Sequence, residues 1–188
     1  MRREDADRLT RLLIPALAGM TVELIKRFFS ATLAYMDIMG HEQILAFLTT
    51  ARAAGRLAHA YIFFGPERIG KRTVASRLAA DLLATAPEKL LLHPDYLYIA
   101  PRVDEKTGKK KEKIEVDDIR EARVRLSRRP LLGQFSIAII DDAHLMTAAA
   151  GNALLKSLEE PHGQTVLFLI TDRPNRLLAT IRSRCQMI

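Results

Sequence analysis

The sequence predicts an α/β protein: a doubly wound, three-layer fold in which a parallel sheet is flanked by helices, preceded by a short helical extension. Three observations point there. Short, continuous apolar runs alternate with helix-length segments, which is how strands buried on both faces read. The stretch Gly65-Pro66-Glu67-Arg68-Ile69-Gly70-Lys71 fits G-x-x-x-x-G-K and sits between one such run and a helical segment. A later run, IAII, ends directly in Asp141 and Asp142.

In chain order, residues 1–36 stand apart as an extension of one or two short helical pieces. Pro15 and Gly19 interrupt any helical pattern there, and early acids argue against a secretory signal. Met36 or Met39 would each serve as a start, and residues 37–188 form the expected domain. Residues 41–54 carry Ile44, Leu45 and Leu48 at helical spacing, closed by Gly55. Residues 58–64 (AHAYIFF) read as a buried strand, followed by the glycine loop and a helix over 73–84. Residues 96–100 (YLYIA) form a second strand, and the loop 101–113 is too charged for core. Residues 116–126 open with acids and end with bases, as the helix dipole favours. Then follow a strand at 135–140, a helix at 147–160 closed by Pro161, a strand at 164–171 and a short helix at 174–181.

Composition excludes several classes. In 188 residues, 48% are hydrophobic and 27% charged, which sets disorder aside and leaves room for one complete domain. A single cysteine rules out a disulfide framework and a zinc site built from several thiolates, and it fits a reducing cytoplasmic compartment. The apolar stretch at 12–22 is short of the ~18 residues a membrane span needs. The net charge is +7, much of it local: residues 102–129 hold eleven Lys/Arg against seven Asp/Glu. That stretch reads either as a solvated face or as a nucleic-acid contact, although a chain with 6% aromatics offers little for base stacking.

The glycine loop carries explicit chemistry. Gly65 and Gly70 let the backbone curl so that its N–H groups face a phosphate, and Lys71 reaches the outer phosphates. The bland alternative is a strand-to-helix turn with a chance Gly-Lys. The residue after the lysine is anomalous, because a working loop holds Mg²⁺ there through Ser or Thr and this chain has Arg72. Thr73 is one step late, turned by about 100° on a helix. Asp141 stands where Mg²⁺ would be held, at the end of a strand expected beside residues 58–64 and near Lys71. Asp142 replaces the longer Glu that polarises water. Two acids at a strand end can also simply cap a helix.

HAYIFFGPERIGKRT, IAIIDDAHLMTAAAGNALLKSLEEP and LITDRPNRLLATIRSRC, in that order, resemble the AAA+ clamp-loader subunits of bacterial DNA polymerase III. The likeness covers residues 37–188 and is nearer the delta-prime type than the gamma/tau type. It implies an AAA+ P-loop domain in the machine that opens the sliding clamp and loads it onto primed DNA. Partners would be the gamma/tau and delta subunits, the clamp and, through the complex, DNA, with no membrane. The resemblance makes Arg184, in Ser183-Arg184-Cys185, an arginine finger for a neighbour's ATP, a role worth ~10³–10⁵ in rate. By its residues alone Arg184 is an exposed arginine near a short helix, with Arg182 as a plain surface neighbour. Thr171 or Asp172 would sense the γ-phosphate.

Arg72 and Asp142 imply a degenerate nucleotide site formed by Gly65, Gly70, Lys71, Arg72, Asp141, Asp142 and Thr171. Weak ATP or ADP binding stays open, and neither Mg²⁺ nor another metal is expected. The four-cysteine zinc module of some relatives is missing, and the chain stops before the family's lid and collar. Two alternatives stand beside this: a gamma-type ATPase using Lys71 and Asp141 in cis, and a basic nucleic-acid-binding module.

Overall fold

A computed structural model describes residues 42–101 and 113–188. The expected N-terminal extension and most of the charged 101–113 loop lie outside the described residues. The elements are α1 (Glu42–Ala53), β1 (Ala60–Phe64), α2 (Lys71–Leu82), β2 (Tyr96–Ile99), α3 (Val116–Leu126), β3 (Ser136–Ile140), α4 (Ala148–Glu159), β4 (Thr165–Thr171), α5 (Ala179–Arg182) and β5 (Gln186–Met187). The strands form one sheet in the order β2-β3-β4-β1-β5, and every pairing is parallel.

Burial explains why the central strands β3 and β4 are largely apolar. All seven residues of β4 and all five of β3 are buried. On one face Ala60, Ile62, Ala138, Ile140, Leu167 and Leu169 pack with Ile119, Ala122, Leu154, Leu158 and Ile181 from α3, α4 and α5. The odd residues of β1 point the other way. Tyr61 and Phe63 meet Phe168 at ring-centroid distances of 5.9 and 5.6 Å. Buried Val74, Ala75, Leu78 and Ala79 give α2 its apolar stripe, and Leu45 and Leu48 do the same for α1. Arg52 ties α1 to α2 through Asp81 at 3.2 Å. Truncating any of these large core side chains to Ala would cost about 2–5 kcal/mol.

Helix ends follow backbone chemistry. Gly55 at φ 64 closes α1, with its N–H on the Arg52 carbonyl and the Arg56 N–H on that of Ala51. That is the Schellman pattern expected of a terminal glycine. The same pattern closes α2 around Ala84 at φ 51, where the side chain gives no hint of a left-handed turn. The helix expected at 73–84 therefore runs from Lys71 to Leu82, because the loop winds straight into it at Gly70 (φ 89).

Two further expectations need correction. The single helix at 174–181 is instead a 3₁₀ turn, Pro174–Arg176, and the one-turn α5. Leu177 (ψ 146) and Leu178 (ψ 136) are extended between them, which lets Leu177 and Ile181 both reach the core. The strand bearing Asp141 is not beside β1. β4 lies between β3 and β1, so Thr171, not Asp141, ends the strand next to the glycine loop. β5, a two-residue strand with no pattern of its own, was not expected from the sequence. Its pairing continues into Ile188, whose N–H donates to the Ile62 carbonyl at 2.9 Å.

Candidate functional site

The glycine loop leaves the carboxyl end of β1, where open α/β sheets place their ligands. Gly65 sits at φ 144, and a Cβ there would fall 2.7 Å from Ile69 Cδ1. The conformation therefore favours glycine, while the Ile69 side chain could shift to admit a Cβ. Arg68 and Gly70 are also left-handed, at φ 62 and 89. Lys71 begins α2 and folds back over the loop, donating from Nζ to the carbonyls of Gly65 (2.8 Å) and Pro66 (2.6 Å).

Arg72, one residue on, reaches across to β3. Its Nη1 lies 3.8 Å from Asp141 Oδ2. The same carboxylate oxygen accepts the Tyr98 hydroxyl at 2.6 Å, and Oδ1 accepts the Asp142 N–H at 3.1 Å. Burial, then the hydrogen bond to Asp141, pushes the Tyr98 phenol up to about 12, so it is a neutral donor at ordinary pH. Arg72 is itself pushed up, chiefly by its hydrogen bond with Tyr98. Lys71 and Asp141 are thus gathered at one end of the sheet, but it is Arg72 that makes the bridge. Asp142 takes a left-handed conformation (φ 50) and opens the 3₁₀ turn Ala143–Leu145.

At the end of β4, Thr171 is buried and Oγ1 accepts the Arg173 N–H at 3.0 Å. His144 Nδ1 lies 3.2 Å from both Thr171 Oγ1 and Asp172 Oδ1. Arg173 Nε closes on Asp172 Oδ2 at 3.3 Å. The two sensor candidates therefore share one histidine. Neither Tyr98 nor His144 was picked out from the sequence. A Tyr inside an apolar strand reads as core, although the alternation Tyr96-Leu97-Tyr98 put two phenols on one face.

Arg184 lies just beyond α5, well away in sequence from the loop. Its Nη2 pairs with Glu159 Oε1 at 2.9 Å, and its Nη1 donates to the Thr180 carbonyl at 3.0 Å. The side chain is 36% exposed, Glu159's 47%. Arg182 is not the plain surface residue expected: its Nε is buried without a hydrogen-bond partner, and its Nη1 donates to Asn175 Oδ1 at 3.2 Å. Burial pushes the Cys185 thiol up to about 12, so it packs as an apolar group rather than a nucleophile.

Three arginines of the basic stretch lie at the other end of the sheet. Arg125, Arg128 and Arg129 line a concavity with Asp95 and Ser136, at the starts of β2 and β3. Among the described residues no three His, Cys, Asp or Glu side chains could hold a metal ion together. Among them, too, no helix is long and apolar enough to cross a membrane.

A family model described as DNA polymerase III, delta subunit, matches residues 40–188. The DNA polymerase III subunit delta' of Pseudomonas aeruginosa is 42% identical over 142 residues, covering 68% of this chain and 42% of that protein. The delta' subunit of Escherichia coli is 36% identical over 154 residues, covering 74% and 44%. The gamma/tau subunit of Mycobacterium tuberculosis is 35% identical over 158 residues, covering 80% and 27%. Among solved structures, a DNA polymerase III gamma subunit-related protein of Thermotoga maritima superposes with a TM-score of 0.59 at 31% identity, covering 74% of this chain and 44% of that one. The RuvB Holliday junction branch migration motor of the same organism gives 0.54 at 20% identity, covering 78% and 42%, a likeness of fold alone. The fold is the AAA+ P-loop fold expected, and the chain spans less than half the length of these relatives.

Proposed function

The chain belongs to the DNA polymerase III delta-subunit family, and from that premise we propose a delta-prime-like clamp-loader subunit whose own nucleotide site does not turn over. It helps load the sliding clamp onto primed DNA in the cytoplasm, beside gamma/tau and delta subunits. Residues 37–188 are its AAA+ domain and residues 1–36 an extension. Its chemical contribution is Arg184, offered to the ATP of a neighbouring subunit.

The observation that carries this reading is the contrast between two arginines. Arg72, at the chain's own loop, is engaged with Asp141 and Tyr98, on the carboxylate a hydrolysing site would use for its metal ion. Arg184 is half-exposed at the end of α5, held by a partly exposed carboxylate and one carbonyl. A planar guanidinium can grip a phosphate with two parallel N–H donors, which a lysine cannot imitate. Charge developing on a transferring phosphoryl group is what such an arginine stabilises.

The test is Arg184→Lys in a form extended to the relatives' full length and reconstituted with its neighbours. DNA-stimulated ATP turnover should fall by at least about tenfold, toward the scale of known arginine fingers, while the melting temperature stays nearly unchanged. Arg128→Lys, exposed at the far end of the sheet, is the control and should be silent. Equal losses from both would reduce Arg184 to electrostatic surface. The intact Gly65–Lys71 loop favours one other reading, a gamma-type ATPase. Turnover by the isolated chain that disappears in Lys71→Ala would establish it.

A further inference from the structure

A magnesium ion does not fit the residues at this P-loop. The position after Lys71 offers a guanidinium in place of a hydroxyl, and Thr73, the next hydroxyl, is exposed one step around the helix. Both oxygens of Asp141 are engaged, Oδ2 by Tyr98 at 2.6 Å and Arg72 at 3.8 Å, and Oδ1 by a backbone N–H at 3.1 Å. Magnesium is bound through one or two carboxylates and substrate phosphates, with near-ideal octahedral geometry and several retained waters. Here Asp141, at the end of β3, already faces the positive charge of Arg72. A dication brought beside Arg72 would be repelled by it.

We propose that this site takes the phosphate chain of a nucleoside di- or triphosphate free of any divalent cation, with the Arg72 guanidinium supplying the positive charge that the ion would bring. The proposal rests on reading residues 65–71 as a phosphate loop. Three features serve it. Among the described residues, the Lys71 ammonium is held by two carbonyls of the loop itself, which an anion can replace. The Arg72 side chain is 67% exposed, so it can turn from Asp141 toward a ligand. Tyr98 is a positioning residue: its hydroxyl holds Asp141, and Asp141 holds Arg72 at the mouth of the loop. Magnesium in solution then competes for the nucleotide instead of bridging it to the protein.

Titration calorimetry of the full chain with ADP and with ATP, once in EDTA and once in excess Mg²⁺, tests this. The native chain should bind as well or better in EDTA. The double variant Arg72→Thr, Tyr98→Phe restores a hydroxyl ligand and frees the carboxylate, and its affinity should rise by at least about tenfold on adding Mg²⁺. Arg72→Ala should weaken binding in EDTA, which covers the case of a double variant that fails to fold. Tenfold tighter binding to the native chain with Mg²⁺, or a folded double variant indifferent to Mg²⁺, would overturn the proposal alone. No binding by any chain in any condition would overturn it together with the phosphate-loop reading. Neither result touches the role of Arg184, which is read from a neighbour's turnover.

Discussion

Under the proposed function, Glu159→Gln isolates the contact that Arg184 would give up in order to act on a neighbour. The pair is short, 2.9 Å, yet both side chains are more than a third exposed. Exposed ion pairs of this kind are worth about 0.2–1 kcal/mol. Removing the charge should therefore lower the melting temperature by no more than about 4 °C in a unit of this size. The same free energy opposes the competent state, because an arginine resting on Glu159 is not available to a phosphate. About 1 kcal/mol is a factor of roughly five in population. DNA-stimulated turnover in the reconstituted complex should thus rise by up to about fivefold with Glu159→Gln. The gain should shrink at high salt, which screens the pair in the native chain. In an Arg184→Lys background the substitution should change nothing, the non-additivity expected of residues in contact. A tenfold fall in turnover would refute the reasoning, since Glu159 would then be aiming the arginine and not restraining it.

Asp95 anchors the far end of the sheet, where its buried carboxylate accepts the N–H groups of Leu131 at 2.6 Å and Leu132 at 2.8 Å. Asp95→Ala strands two donors and should cost about 2–4 kcal/mol in urea unfolding, with Asp95→Asn recovering part of it; a loss below about 0.5 kcal/mol would show that water replaces the carboxylate. Alkaline pH should destabilise the fold. Burial raises Cys185 from 9.0, and Tyr96 and Tyr98 from 10.0, each to about 12. The folded chain thus keeps protons that the unfolded chain loses. Their contribution is complete below the unfolded values and is lost as pH rises toward 12, so the melting temperature should fall steadily above pH 9.0. A flat profile over that window would contradict these shifts.

The central strands were legible because β3 and β4 are buried on both faces and so are written as nearly unbroken apolar runs, residues 136–140 and 165–171. Strand order was not. Nothing local in IAIIDD says that β4 will come between it and β1, since that depends on where three crossover connections land. Arg72 stood out as the wrong residue at a known position, whereas its companion Tyr98 lies 43 residues before Asp141 and looks like any strand aromatic. Glu159 likewise reads as one of two acids closing a helix until α5 brings Arg184 beside it. Ala84 shows the limit most plainly: a left-handed turn normally announced by glycine is made here by a residue that favours helices.

The most direct measurement is a structure of the full-length protein in the assembled complex, with a transition-state analogue on the adjacent subunit. The Arg184 guanidinium is expected to have left Glu159 and to donate to the neighbour's γ-phosphate mimic at about 2.7–2.9 Å. An Arg184 still paired with Glu159, with another cation on that phosphate, would contradict the proposed function.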